Sequence, residues 1–292
     1  MFKIKTPAST SNLGCGFDSL GLAFDIYNNF SIEESDVTIL EGIDEAFNND
    51  NNLFLKAYRK ACNDIGKEKP IHVIFDCDIP ISRGLGSSST FVVAGLYAAY
   101  LLNDINLPDK EEIFNMACEF EGHPDNVAPC IYGGFLASTK VSEDTFITRN
   151  ISLSKEYKFT CLIPDFEIST EKARSLMPTS YPIKIVYNSL SKAILTTKAF
   201  ESGDLDLLKI VNKDEIHEPY RKELIKDFSN LSMLLNKNTD GLLLISGSGS
   251  TCLYISKEEI DNNIDLSSLN NKWLIKTVSV DYNGTIIEVK DE

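Results

Sequence analysis

The sequence predicts an α+β fold in two parts, and three observations carry that reading. Short strands and helices follow one another without strict strand–helix alternation. A wholly apolar helical stretch comes directly after a strand in the first half. No proline-rich or low-complexity linker separates a first domain, 1–150, from a second, 151–292. The two parts are therefore expected to pack against each other, and a crevice between them is a natural place for a ligand.

Residues 2–6 alternate apolar and basic side chains as a half-buried strand does, and 7–16 read as a loop of small residues. NNDNN at 48–52 is a turn ahead of a helix over Leu53–Ile65, and Ile71–Cys77 is a strand. Residues 91–102, FVVAGLYAAYLL, have no polar face, so as a helix they are buried nearly all round. Residues 111–121 repeat apolar side chains at helical spacing, with Ile113, Phe114, Ala117 and Phe120 on one side, and then enter the loop EGHPDNVAPCIYGG. The second half reads as a strand over 159–163, helices over 184–201, 204–212 and 221–236, and a strand over 242–246. The turn GSGS leads to a strand over 251–256, and strands over 275–280 and 284–289 close the chain.

The segment ahead of the apolar helix, PISRGLGSSST, poses the chemical question. The first turn of a buried helix carries N–H groups with no intrahelical partner, and leaving each unsatisfied costs about 1–3 kcal/mol. Gly84 and Gly86 let a backbone approach closely, Ser87, Ser88, Ser89 and Thr90 offer hydroxyls, and the helix dipole favours negative charge. Two readings follow: the hydroxyls cap their own helix, or the loop holds a phosphate. A Walker A loop is excluded because no lysine follows at the required spacing, and the dinucleotide motif G-x-G-x-x-G has Ser89 in place of its third glycine.

With 292 residues, 43% hydrophobic and 24% charged, the chain buries a full core without staples. A net charge of −15 argues against nucleic acid and anionic membrane as partners, so a nucleotide would be held by local donors and a metal. Seven cysteines without a C-x-x-C pair give no disulfide framework and read as reduced thiols of a cytoplasmic protein. His72, His123 and His217 form no zinc-type pair. No signal-peptide core is present at the N-terminus, and no run approaches the ~18 apolar residues of a membrane span.

Four polar clusters stand out: TPASTSNLGCGFDSLG at 6–21, RGLGSSST at 83–90, EFEGHPDN at 119–126 and SGSGST at 246–251. Singly, the first reads as an irregular loop, the third as a helix end with an Asx turn and the last as a tight hairpin. In this order and together they resemble the GHMP kinase superfamily. Within it, STSNLGCGFDSLGLAF, EGHPDNVAP, STEKARSLMP at 169–178 and HEPYRKEL at 217–224 look like the homoserine kinase family. The likeness covers nearly the whole chain. Cys15 departs from it, standing where proline is more usual, as do Ser89 and Thr90, where small residues such as alanine are more usual.

The resemblance implies a two-domain fold, with an N-terminal part like domain 2 of ribosomal protein S5 and a ferredoxin-like C-terminal part. It implies ATP-dependent phosphorylation of the side-chain hydroxyl of L-homoserine to O-phospho-L-homoserine, in threonine biosynthesis, with Mg²⁺, and a homodimer. By the same likeness, Pro80, Arg83, Gly84, Leu85, Gly86, Ser87, Ser88, Ser89 and Thr90 form the phosphate loop, and Ser88 and Glu119 hold the metal. Glu121 competes with Glu119, since on one helix the two point about 200° apart and only one faces the site. Homoserine is a zwitterion, so its pocket needs a cation, an anion and a polar group near the hydroxyl. Arg174 and Arg221 match the family's carboxylate arginines, guanidinium suiting a carboxylate better than lysine does. Asn12 and Asp18 match the amino-acid pocket, Asp18 being the natural partner of the ammonium, and His123, Asp125, Thr170 and Gly247 complete its wall. Asp125 is the candidate base, but loose phosphoryl-transfer transition states demand little of the nucleophile, so Asp125 or Asn126 would suffice by orienting the hydroxyl. A kinase for another small alcohol and a binding-only sensor that has lost turnover remain the alternatives.

Overall fold

The computed structural model describes residues 1–261 and 263–289. The chain begins with β1, Phe2–Ser11, and β2, Leu20–Glu34, paired antiparallel with a bulge at Pro7/Ala8. A short strand β3, Ile39–Glu41, precedes helix α1, Leu53–Ile65, which Asn52 caps by accepting from the amides of Phe54 and Leu55. There follow β4, Ile71–Cys77, helix α2, Ser87–Leu102, helix α3, Lys110–Glu121, and the single helical turn and a half of α4, Val127–Tyr132. Strands β5, Phe135–Lys140, and β6, Phe146–Asn150, complete the first half.

These strands form one sheet in the order β11-β1-β2-β4-β3, with β5 paired to β2 and β6 to β5. Its β11, Ile286–Val289, comes from the far end of the chain and pairs with β1. The stretch 151–292 is therefore not one self-contained unit, because its last strand closes the first sheet. Helices α1 to α4 cover one face of that sheet around a core built on Phe30, Phe54, Phe75 and Phe91. At its centre α2 is buried nearly throughout, as a helix without a polar face must be.

The second sheet runs β10-β7-β9-β8, all antiparallel: β7, Lys158–Pro164; β8, Gly241–Ile245; β9, Cys252–Ser256; β10, Trp273–Val278. Numbered within this part the order is 4-1-3-2, the ferredoxin-like arrangement expected. Between β7 and β8 lie α5, Thr170–Ser175, α6, Ile183–Ser202, α7, Leu205–Val211, α8, Glu218–Arg221, and α9, Phe228–Asn236. One core joins the sheets, packing Ala8, Leu22 and Phe24 against Phe159, Cys161 and Ile255. The two halves are thus held by a shared apolar layer.

Several expectations are corrected. Residues 7–11 extend β1 rather than forming a loop. The helix expected over 221–236 is broken into α8, a 3₁₀ turn at Lys222–Leu224 and α9, because Asp227 turns its carboxylate onto Asn270, Asn271 and Trp273 at 2.6–3.2 Å instead of continuing the helix. Strands β2, β3, β5 and β6 and helices α4 and α5 were not anticipated.

Gly95 sits where α1 crosses α2, and a Cβ there would lie 2.3 Å from the carbonyl oxygen of Phe54. At an exposed helical site, replacing glycine by alanine gains about 1 kcal/mol. Here Gly95→Ala is expected to destabilise the protein by about 1–3 kcal/mol through overpacking, read as a lowered urea midpoint at unchanged slope.

Candidate active site

The expected phosphate loop is fixed from two sides. Gly84 and Gly86 both take left-handed backbone angles, φ 72° and 70°, open to glycine at low cost. A Cβ on Gly84 would strike the carbonyl of Ser246 at 2.2 Å, and one on Gly86 would strike the Ser9 hydroxyl at 2.1 Å. The Ser9 amide donates to Leu85 O (3.1 Å), the Thr251 amide to Arg83 O (3.1 Å), and the Ser246 hydroxyl to Gly84 O (2.6 Å). The loop is therefore clamped between β1 and the GSGS turn.

Beyond it, α2 starts at Gly86 with no side-chain cap. Thr90 is occupied elsewhere, donating to Ser87 O (2.7 Å) and accepting from Asn28 Nδ2 (2.8 Å). Ser88 and Ser89 donate to the two oxygens of Glu121, at 2.6 and 3.1 Å. The self-capping reading of the serines is excluded, and the first amides of α2 face an open cleft of about 680 Å³. Arg83, Gly84, Gly86, Ser87 and Ser88 line this cleft, together with Glu121, His123 and Thr170. The expected loop members divide: Leu85 is buried in the shared core, Pro80 does not line the cleft, and Arg83 also pairs with Glu167 at 3.1 Å.

Glu119 is corrected. It forms an ion pair with Lys60 on α1 at 2.7 Å, on the side of α3 away from Ser88. The buried side of α3 carries Ile113, Phe114, Ala117 and Cys118, and Glu121 falls on that side while Glu119 falls opposite. Glu121 is the carboxylate at the phosphate loop. A carboxylate and a phosphate drawn to the same hydroxyls repel, so the spot suits a hard cation between them. Among the described residues no three His, Cys, Asp or Glu side chains converge on one point. The oxygens of Ser88 and Glu121 fit a Mg²⁺ that takes its other ligands from phosphate and water.

The residues expected to form the amino-acid pocket adjoin this cleft through His123 and Thr170. Asn12 and Asp18 sit in a loop with left-handed backbone, φ 70° and 53°; the Asn12 side chain closes the loop by accepting from the Asp18 amide (3.0 Å) and ties it to the GSGS turn by donating to Gly247 O (2.9 Å). Arg174, from α5, grips Asp18 through two parallel hydrogen bonds of 2.7 and 3.0 Å. Arg221, from α8, is buried, donates to Gly247 O at 2.8 Å and leaves its Nε without a partner. Thr170 lies 3.3 Å from the Ser248 hydroxyl.

Asp125 is almost wholly buried at the turn into α4. Burial pushes its carboxyl up, but the His123 ring at 2.9 Å, the Ser11 hydroxyl and the Arg174 charge outweigh that, and it stays below the ordinary carboxylate range. The same pair acts on His123, where burial disfavours the proton and Asp125 more than restores it, raising its pKa. Asn126 is committed otherwise: its carboxamide accepts from Ser9 (2.9 Å) and donates to Ser11 (3.0 Å), tying α4 to β1.

Sequence reasoning missed two residues. The Phe17 ring lies within cation–π reach of both guanidinium groups, 5.6 Å from Arg174 and 5.1 Å from Arg221, and stacks on His217 at 5.2 Å. His217 is fully buried and burial lowers its pKa; Nε2 faces Gly14 O at 2.8 Å and Nδ1 faces Arg221 at 3.4 Å. The signal was adjacency: Phe17 precedes Asp18, and His217 stands one helical turn before Arg221. Cys15, the departure from the family pattern, packs under the same loop with its thiol pushed up to about 12 by burial and by Asp214, which leaves it unreactive.

A model of the GHMP kinases N terminal domain matches residues 52–134. A homoserine kinase of Clostridium botulinum is 38% identical over 294 aligned positions, 98% of each chain, and one of Aquifex aeolicus is 37% identical over 88% of each. The crystal structure of homoserine kinase from Cytophaga hutchinsonii superposes with a TM-score of 0.86 at 25% identity, covering 98% of this chain and 97% of that one. The chain belongs to the homoserine kinase family of the GHMP kinases.

Proposed function

We propose that this protein transfers the γ-phosphoryl group of ATP to the side-chain hydroxyl of L-homoserine, giving O-phospho-L-homoserine on the route to threonine. The observation that carries the reading is the meeting of the uncapped amides of α2 with a pocket of opposite charges, Asp18 facing Arg174 and Arg221. A zwitterion satisfies such a pocket in both senses. Its ammonium goes to Asp18 and its carboxylate to Arg221, whose Nε lacks a partner, and to Arg174, with the Phe17 ring in contact with both guanidinium groups.

The phosphates of ATP rest on the amides of residues 86–88 and the Ser87 and Ser88 hydroxyls. Ser88 and Glu121 would hold a Mg²⁺ ion, which would supply neutralisation of the phosphate charge. Asp125 is ionised and accepts the hydroxyl proton, while His123 holds its carboxylate in place. Asn126 positions Ser9 and Ser11 beneath the loop. We place the reaction in the cytoplasm: all seven cysteines are free thiols, six of them buried, as a reducing compartment allows. No described helix is long and apolar enough to cross a membrane.

The direct test is ADP release in MgATP with L-homoserine, mevalonate, galactose, serine or threonine as acceptor. Release that depends strongly on homoserine is expected; turnover with another acceptor would discard the zwitterion pocket, and none with any acceptor would point to a sensor. At the metal, Glu121→Gln should raise the Mg²⁺ concentration for half-maximal rate by about tenfold or more, whereas Glu119→Gln should leave it unchanged. Asp125→Asn should lower kcat by about a hundredfold or more if the carboxylate is the base; survival of most turnover would reduce Asp125 to an orienting group. The raised pKa of His123 means that its pair with Asp125 stabilises the fold fully below the unfolded value near 6.5 and is lost as pH rises through the folded value. In an NMR titration His123 should therefore ionise above 6.5 in the parent protein, and below it in Asp125→Asn, where burial remains and the partner charge is gone.

A further inference from the structure

The guanidinium of Arg221 is buried and firmly held by one nitrogen only. Nη1 donates to Gly247 O at 2.8 Å and points at Nδ1 of His217 at 3.4 Å. Nε has no partner, and Nη2 meets only the Met177 sulfur at 3.8 Å, a weak acceptor. Nε and Nη2 carry the two parallel N–H groups of one edge of the guanidinium plane, the edge whose geometry matches a carboxylate. One buried cation thus has an anchored end and a free fork.

His217 determines what the anchored end meets. Its Nε2 lies 2.8 Å from Gly14 O, and a carbonyl oxygen can only accept, so Nε2 carries a hydrogen. A guanidinium nitrogen can only donate, so the Nδ1 that Arg221 faces is bare. The ring is therefore neutral, with its lone pair turned to Arg221. Of the charged groups that face it, Asp214, 3.7 Å from Nε2, and Glu218 favour a second proton, while Arg221 opposes one. Both carboxylates are already engaged: Asp214 accepts from the amides of Ile216, His217 and Glu218, and Glu218 from the Ile245 amide and Lys222. The loop at 14–17 adds the Gly14 carbonyl and the Phe17 ring, neither of them charged. Burial is the largest influence, and together with Arg221 it lowers the pKa of the ring.

We propose that His217 is a positioning residue for the carboxylate end of the amino-acid substrate: as the neutral Nε2–H tautomer it ties down Nη1 of Arg221 and so keeps the Nε–Nη2 edge free for the two carboxylate oxygens. This rests on the reading of Arg221 as a carboxylate site. A proton on Nδ1 would set donor against donor and cation against cation, so the state of this one ring links homoserine affinity to pH.

Long-range proton–nitrogen NMR of the imidazoles and steady-state kinetics with MgATP and L-homoserine test this. In the parent protein His217 should show a hydrogen on Nε2 and none on Nδ1; a hydrogen on Nδ1 at neutral pH would overturn the proposal without any variant having to fold. His217→Gln, which reaches Gly14 but offers nothing at the Nδ1 position, should raise the KM for homoserine about tenfold or more and leave kcat and the KM for ATP within about twofold. His217→Asn, whose carboxamide oxygen can stand where Nδ1 stands, should recover most of that affinity. In the parent the KM for homoserine should rise as pH falls through the ionisation of His217, below 6.5, and this rise should be absent from His217→Asn. Equal losses in the two variants, or a loss shared with ATP, would make His217 a structural residue and overturn the proposal. Arg221→Lys separates the proposal from the reading beneath it. A raised homoserine KM there, with His217→Gln unaffected, overturns the positioning role alone, whereas an unchanged KM in Arg221→Lys overturns the carboxylate site itself.

Discussion

Everything at this site depends on the contact between the phosphate loop and the GSGS turn. Gly84 and Gly86 have no side chain to hold them in a left-handed backbone, so the geometry is imposed from outside. On one side stands Ser9 of β1; on the other stand Ser246, 162 residues beyond Gly84 in the chain, and Thr251. Ser246 also meets Thr10 at 2.8 Å, so one hydroxyl joins the first strand, the loop and the turn. The N-terminus of α2 can stay uncapped because its preceding loop is fixed by backbone contacts that leave the first amides free. A loop capped by its own serines would be easier to build and would have nothing to offer a phosphate.

The same turn reaches into the proposed amino-acid pocket, because Gly247 O accepts from both Asn12 and Arg221. The two subsites therefore share a support, and a distortion of the turn would be felt in both. Inside the pocket the charges are arranged so that none is left alone before a ligand arrives: Arg174 occupies Asp18, and His123 occupies Asp125. Arg221 is the exception, buried with one nitrogen unsatisfied, which marks where the binding of an anion gains most. An uncharged alcohol has nothing to exchange for the Asp18–Arg174 pair, so the pocket's cost of opening falls on ligands that lack both charges.

The sequence made some of this legible and some not, for physical reasons. Leu53–Ile65, Ile71–Cys77 and the apolar helix were readable because cap, period and length agreed with one another. Strand β2 was overlooked, although Ile26, Phe30 and Ile32 alternate with Tyr27, Asn29 and Ser31 as a half-buried strand does; the small residues around it drew attention to its loop instead. Helix α4 begins within a Gly, Pro and Asn-rich run, and its one and a half turns give no period to detect. The error at Glu119 is more instructive. A family likeness pointed to it, while the helix's own period, with Ala117 and Cys118 buried, pointed to Glu121. Phe17 and His217 act only through groups that the fold brings beside them, so neither residue type nor spacing announced them.

On the proposed reading a chain of net charge −15 holds a polyanion beside the Glu121 carboxylate, so long-range attraction cannot bring the nucleotide in. What remains is short-range and directional. Backbone N–H groups at the start of α2 bring donors without bringing side-chain charge, and hydroxyls at Ser87 and Ser88 do the same. Glu121 then makes the arrangement conditional, because its charge opposes a bare triphosphate and favours one accompanied by a divalent cation. Lysine in this loop would have made the cation less necessary, as in loops of the Walker type. On the proposed reading its absence, and the presence of a carboxylate that accepts from Ser88 and Ser89 at the start of α2, tie nucleotide affinity to the metal through Coulomb repulsion.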